Sequence, residues 1–147
     1  MDPLGKALSP KQIDSMKENI EQAEEIMREL DAEAERIKKV GVPLDTMHER
    51  GEMSVWERID YLVDPGTFCP LHTIFDPENE ESGSTGVVDG LARINGKWCI
   101  LIGFNNKWMA GAWIAGQAEN NLRVTDIAKI LHVPLVWLVN CSGVKLP

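Results

Sequence analysis

This 147-residue sequence is informative first for what it leaves out. It has no G-x-G-x-x-G and no P-loop pattern, so neither common glycine-rich phosphate cradle is written into it. No G-x-S-x-G frames a serine, which argues against a nucleophile elbow. His48, His72 and His132 lie far apart, without zincin spacing, and read as structural residues. Cys69, Cys99 and Cys141 form no C-x-x-C pair, and an odd count fits no simple disulfide framework; reduced thiols in a cytoplasmic compartment are expected. Lys and Arg number 15 against 23 Asp and Glu, a formal net charge of -8. That balance offers no basic face for phosphate neutralisation and argues against a nucleic-acid partner. The apolar runs are too short to cross a bilayer, and the first ten residues show no apolar signal core.

What is present suits a packed α/β domain: 44% hydrophobic residues, of which few are aromatic. Ser9-Pro10-Lys11-Gln12 is a helix start, with Ser9 as cap, Pro10 at the first turn and Gln12 closing a capping box. Ile13, Met16, Ile20, Ala23, Met27, Leu30, Ala34 and Ile37 then follow at 3-4-3-4 spacing, and Gly41 and Pro43 end the run. This predicts one amphipathic helix from about Pro10 to Lys39, packed on its own domain or a sister subunit; a coiled-coil zipper with two Ala and two Met in the seam would be weak. Ser54-Val55-Trp56-Glu57 is a second capping box, opening a short helix to about Val63. Phe68 to Phe75 reads as extended, and Pro70 confines any strand there to an edge. Asp76 to Gly86 is acidic and rich in small residues, so a mobile surface loop is expected. Its carboxylates lack the alternating oxygen-ligand pattern of an EF-hand.

The last third carries the strongest patterning. Val87 to Ile94 and Lys97 to Phe104 flank Asn95-Gly96, a two-residue hairpin turn. The second strand is nearly all apolar, as a strand covered on both faces must be. A helix is expected from about Ala112 to Leu131, with Ala115, Ala118, Leu122, Ile127, Ile130 and Leu131 facing the sheet. Val133 to Val139 is another apolar strand, so the unit is strand, strand, helix, with a parallel crossover. The loops after the two parallel strands, Asn105 to Gly111 and Asn140 to Val144, should therefore be neighbours. Both are rich in small residues, which suits backbone N–H groups aimed at a developing oxyanion and equally suits a plain turn. Lys107 at the strand end could meet a phosphate, but reads more simply as a solvated side chain. Cys141 has no neighbouring histidine or helix start to lower its pKa, which argues against a thiol nucleophile.

An ordered set of short motifs adds a family resemblance over roughly Val55 to Val144. Glu57-Arg58-Ile59-Asp60, Leu62, Asp64-Pro65-Gly66 and Phe68 come first. Gly86-Val87-Val88-Asp89-Gly90, Arg93-Ile94-Asn95-Gly96, Met109-Ala110-Gly111 and Asn140-Cys141-Ser142-Gly143 follow. In this order they resemble the carboxyltransferase subunits of biotin-dependent acyl-CoA carboxylases and decarboxylases. The family's last loop usually runs Gly-Gly-Ala-Arg after the serine; here Gly143-Val144-Lys145-Leu146 stands there. That departure, with Trp98, Trp108 and Trp113, is most similar to the glutaconyl-CoA decarboxylase branch.

The resemblance implies a crotonase-like α/β fold, a spiral of strand-strand-helix units, incomplete here and preceded by a long N-terminal helix. It implies an arm and linker over 1–53 and the start of a carboxyltransferase domain over 54–147. The implied reaction moves the carboxylate of glutaconyl-CoA, a coenzyme A thioester, to biotin. Gly143 and Val144 would be backbone oxyanion donors, and Met109, Ala110, Gly111 and Ser142 would bind substrate. No metal is implied. The implied partners are a biotin carrier subunit, a membrane-embedded decarboxylase subunit of a sodium-pumping complex, and further copies of the chain in a dimer or higher oligomer. The implied location is cytoplasmic, peripheral to the inner face of the membrane. Family members are several times longer, so the chain reads as an N-terminal portion, inactive alone. Two other readings remain: the β subunit of a propionyl- or methylmalonyl-CoA carboxylase, and a non-catalytic assembly fragment whose long helix docks a partner.

Overall fold

The computed structural model describes residues 7–71 and 74–145. His72 and Leu146, both weighed above, lie outside them. The chain divides into two compact units, Met1–Arg36 and Ile37–Pro147.

The first unit is helical. Ser9 Oγ accepts the Gln12 N–H and the Ser9 N–H donates to Gln12 Oε1, so the expected capping box is formed at the start of α1 (Pro10–Ser15). The expected single helix is interrupted at Met16, whose N–H turns to the Ile13 carbonyl three residues back, and α2 (Lys17–Lys39) follows. Ile13, Met16, Ile20 and Met27 of the apolar seam are exposed.

The second unit is built on a sheet. Among the described residues its strand order is β1 (Cys69–Pro70), β2 (Val87–Ile94), β3 (Lys97–Phe104) and β4 (Leu135–Leu138). The β2–β3 hairpin has the expected bounds, and Asn95 and Gly96 both take positive φ, 50° and 75°, as its tight turn requires. β1 is the expected edge strand at Pro70, and β3 pairs with β4 in parallel. A short helix, α3 (Leu44–Glu49), was not legible in the sequence; it buries Met47, with Asp45 in its first turn and His48 in its last. Alternation along the hairpin sends residues to two cores. Val88, Ala92, Cys99 and Leu101 meet Ile37 and α4 (Val55–Leu62) on one side. Val87, Ile100, Ile102 and Phe104 meet α5 (Gln117–Leu131) through Val124 and Ala128 on the other.

Two expectations are corrected. First, α5 begins five residues later than its apolar pattern suggests, and it presents a different face. Trp113 uses its N–H and carbonyl to pair with the Val144 segment (2.7 Å to the Gly143 carbonyl, 2.9 Å from the Lys145 N–H), so no helix can start there. Gln117, Asn120, Asn121, Val124 and Ala128 are buried, with Ile127 partly so, while Ala115, Ala118, Leu122, Ile130 and Leu131 are exposed. One polar residue of this buried face has a partner in Asp89 of β2, which is only 1% exposed on the α5 side of the sheet. Asp89 accepts the Asn120 amide at 2.9 Å, as a buried carboxyl group needs a donor.

Second, the acidic loop is not simply surface. Ser82, Ser84 and Thr85 are buried, and the loop is closed by Asp76 N–H to the Gly83 carbonyl (3.0 Å) and Thr85 N–H to the Ile74 carbonyl (2.9 Å). Asn79 and the serines satisfy its backbone: the Asn79 amide donates to the Ser84 carbonyl (3.0 Å), and Gly86 N–H donates to Ser84 Oγ (3.0 Å).

α4 supports a pH prediction. The Glu57 carboxylate closes the capping box, accepting Ser54 N–H and Ser54 Oγ at 2.8 Å each, and contacts His48 Nε2 at 2.6 Å. The Ser54 N–H foremost, with Ser54 Oγ and His48, holds the carboxyl below its ordinary value of 4.5 against the opposing effect of burial. A depressed folded pKa contributes stability above the unfolded value that is lost as pH falls through the folded one. Glu57→Gln is therefore expected to cost about 1 kcal/mol at neutral pH. The gap should close as pH falls below about 4.5, read from urea unfolding at a series of pH values.

Candidate functional site

The loops after the parallel strands β3 and β4 do meet. Gly111 lies so close to the second loop that a Cβ built on it would stand 1.9 Å from the Asn140 carbonyl oxygen, and its φ of +71° is one that side chains rarely take. Ser142 ties the loops again: its N–H donates to the Ala110 carbonyl and its hydroxyl to the Met109 carbonyl, both at 3.2 Å. Gly143 gives its carbonyl to Trp113, as above, and its own φ is +126°. Met109, Ala110, Gly111, Ser142, Gly143 and Val144, spread over 36 positions of the sequence, thus form one cluster.

The first loop has an unusual backbone. Met109 (φ 48°), Ala110 (φ 50°, ψ 36°) and Gly111 (φ 71°) are consecutive left-handed residues. For the two non-glycine residues that conformation costs about 1–2 kcal/mol each. The carbonyls hold it in place: those of Trp108, Met109 and Ala110 accept the N–H groups of Gly111, Ala112 and Ser142 at 3.0, 3.0 and 3.2 Å. The donors show the opposite pattern. Among the described residues, no hydrogen bond of the chain takes the N–H of Met109, Ala110, Gly143 or Val144. The Trp113–Val144 pairing explains the last of these, because in a parallel bridge the central residue keeps its own N–H turned from its partner. Strained backbone held open around free donors is the kind of outlier from which a functional hypothesis can start.

A cavity of about 1310 Å³ lies beside the cluster rather than at it, between the acidic loop and α5, with Trp108, Ile114 and Lys145 on the cluster's side. Cys141 is exposed, its thiol 3.3 Å from the Gly143 carbonyl. Lys107 is a correction: it is not solvated but 4% exposed, and its ammonium donates to the Lys38 carbonyl. Nothing in the local sequence announces this, because the acceptor lies 69 residues away. No helix among the described residues is long and apolar enough to cross a membrane.

Ser142→Ala removes one loop-tying bond and leaves the Ser142 N–H bond in place. The expected cost is about 0.5–1.5 kcal/mol of stability, measured by denaturant unfolding of the complete protein.

Comparison with known proteins agrees with this architecture. Residues 46–146 match the model of the carboxyl transferase domain. The chain is 44% identical to the α subunit of glutaconyl-CoA decarboxylase from Acidaminococcus fermentans, over 99% of this chain and 24% of that protein. It is 28% identical to the biotin-dependent 3-methylcrotonyl-coenzyme A carboxylase β1 subunit of Mycobacterium tuberculosis, over 67% of this chain and 19% of that one. Among solved structures, transcarboxylase 12S with methylmalonyl-coenzyme A and methylmalonic acid bound superposes with a TM-score of 0.68 at 17% identity, over 97% of this chain and 27% of that chain. The fold is thus crotonase-like, and the chain spans about a quarter of the length of the Acidaminococcus fermentans subunit and of transcarboxylase 12S.

Proposed function

The chain belongs to the carboxyl transferase family, and from that premise we propose that it supplies the acyl-CoA side of a carboxyltransferase that moves the carboxylate of glutaconyl-CoA to biotin. The observation that carries this reading is the pair of joined loops whose N–H groups at Gly143 and Val144 have no acceptor among the described residues. When the carboxylate leaves glutaconyl-CoA, the electrons of the broken C–C bond pass through the double bond into the thioester carbonyl. The oxygen becomes a dienolate oxyanion. Gly143 and Val144 donate to that oxygen, an interaction stronger in the transition state than in the ground state. Met109, Ala110, Gly111 and Ser142 form the wall against which the thioester lies. Protonation of the dienolate then yields crotonyl-CoA.

Biotin, carried on a partner subunit, supplies the acceptor for the carboxylate and gives up the balancing proton. Free backbone donors suit an oxyanion, and no residue of this chain is assigned to biotin itself. The same reading places residues 54–147 at the start of the catalytic domain and 1–53 in an arm and linker. It puts the complete protein in an oligomer at the cytoplasmic face of a membrane-embedded decarboxylase subunit in a sodium-pumping complex. The similarity to the Acidaminococcus fermentans subunit, over nearly the whole chain, favours glutaconyl-CoA over a carboxylase substrate.

The test is substrate choice by the complete protein. Biotin-dependent formation of crotonyl-CoA from glutaconyl-CoA, with little transfer from carboxylated biotin to propionyl-CoA, is expected. The reverse preference would make the protein an acyl-CoA carboxylase β subunit. Turnover of neither, with no affinity for CoA thioesters, would leave the assembly role.

A further inference from the structure

The turn that delivers β3 into the left-handed loop, residues 105–108, is held from outside by the segment that follows α2. Its centre is Lys107. The Lys107 carbonyl accepts the Val42 N–H at 2.8 Å. Gly41, at φ +91°, passes so near that a Cβ there would stand 2.1 Å from the same carbonyl oxygen. The Lys107 ammonium reaches the Lys38 carbonyl in the last turn of α2, where the helix carries its negative end. Beside it, the Asn106 amide donates to the Met53 carbonyl at 2.9 Å, and Asn105 Oδ1 accepts the Lys107 N–H at 3.2 Å. Asn106 and Lys107 are thus tied to segments outside the turn, Asn105 braces Lys107 from within it, and the strained stretch starts two positions after Lys107.

We propose that Lys107 is a positioning residue: by clamping this turn to the Lys38–Val42 segment it fixes where the Met109–Gly111 wall, and the thioester lying against it, stand relative to the Gly143 and Val144 donors of the Asn140–Val144 loop. This rests on the carboxyltransferase reading for its consequence, but the clamp itself is a structural property. A buried lysine is an expensive way to fill space. Burial pushes its ammonium below the ordinary lysine range, Glu57 of α4 opposes that shift, and the Lys38 side chain is directed over the Trp56 ring at 5.3 Å. A methionine would fill the volume without that cost, but it would leave the Lys38 carbonyl without this donor and the turn without its side-chain tether. Lys107 touches no substrate in this account; it acts through the loop that follows it.

The experiment compares Lys107→Met, Lys107→Arg and wild type in the complete protein. Two readouts are used: amide hydrogen exchange over residues 108–112, and steady-state transfer from glutaconyl-CoA to free biotin. In Lys107→Met, exchange at Trp108, Gly111 and Ala112 should rise at least about tenfold while β2 and β3 stay protected. Its kcat should fall about 10- to 100-fold with KM for the CoA thioester changed less than about threefold, because the thioester oxygen is misplaced relative to the Gly143 and Val144 donors rather than binding lost. Lys107→Arg, which keeps the charge and donors, should recover most of both. Unchanged local exchange in a folded Lys107→Met overturns the proposal, as does an unchanged kcat per folded molecule. If Lys107→Met does not fold, native-state exchange in wild type decides: Val42, whose N–H the Lys107 carbonyl accepts, should open together with Gly111 and Ala112, and independent opening overturns the proposal. If wild type transfers no carboxylate, the proposed function fails, and the exchange readout alone decides the clamp.

Discussion

Replacing Gly111 with alanine in the complete protein will lower carboxyl transfer from glutaconyl-CoA about 100-fold or more, the effect of losing an oxyanion donor from its place. The reason is distance. A Cβ at Gly111 would sit 1.9 Å from the Asn140 carbonyl oxygen, 3.1 Å from its carbonyl carbon and 3.6 Å from the Cys141 Cα, all backbone atoms. None can swing aside like a side-chain tip, so the two loops must part. Parting them breaks the Ser142 bonds to Ala110 and Met109 and moves Gly143 and Val144 away from the first loop. The positive φ adds a conformational cost, and a total loss of about 2–4 kcal/mol in stability is expected. Gly51 provides the control. It also takes a positive φ, 71°, but a Cβ there would meet nothing within 4 Å, so Gly51→Ala should cost only the backbone contribution and leave transfer near wild type. Equal transfer rates in the two variants, measured on folded protein, would contradict the placement of the site.

Phe104→Ala carries the second large effect, about 3–5 kcal/mol of stability. Phe104 ends β3, is 2% exposed, and shares a core with Val87, Ile100, Ile102, Val124 and Ala128. Its ring also lies 5.8 Å from that of Trp113 and 6.1 Å from that of Trp137. Trp113 is the residue whose backbone pairs with Val144, so the cavity left by Phe104 opens beneath the second loop. Urea unfolding should show a midpoint shift with an unchanged slope. Carboxyl transfer by the remaining folded protein should fall as well, whereas Ile59→Ala in the opposite core, where α4 packs, should lower stability and spare transfer per folded molecule.

The contrast between these cores shows what the sequence could and could not reveal. The β2–β3 hairpin was legible because its signal is local: Asn95-Gly96 sets the turn, and an almost unbroken apolar run from Cys99 to Phe104 marks a strand covered twice. Loop adjacency was legible because parallel strands bring their carboxyl ends to one side. The facing of α5 was not, because its buried face carries Gln117, Asn120 and Asn121, and the partner of Asn120 is Asp89, 31 residues earlier. An apolar stripe at Leu122, Ile130 and Leu131 looked like the core face and is exposed. Lys107 follows the same logic: a lysine at a strand end is solvated unless a distant segment covers it, and here residues 38–42 do. In the acidic loop, serine and asparagine side chains satisfy backbone that composition alone marks as too polar to bury. At the site, residue types suggested small loops; the left-handed run from Met109 to Gly111 and the unclaimed N–H groups emerged only from dihedral angles and hydrogen bonds.

The central claim, that this chain helps to move a carboxylate from an acyl-CoA to biotin, is tested most directly by following the carboxylate itself. The complete protein is given glutaconyl-CoA labelled with ¹³C in its free carboxylate, together with biotin, and both products are read by mass spectrometry. The account predicts label on biotin in step with unlabelled crotonyl-CoA, with both signals lost together in Gly111→Ala. Crotonyl-CoA formed at the same rate without biotin, or no loss of label from glutaconyl-CoA in a folded and assembled protein, would contradict it.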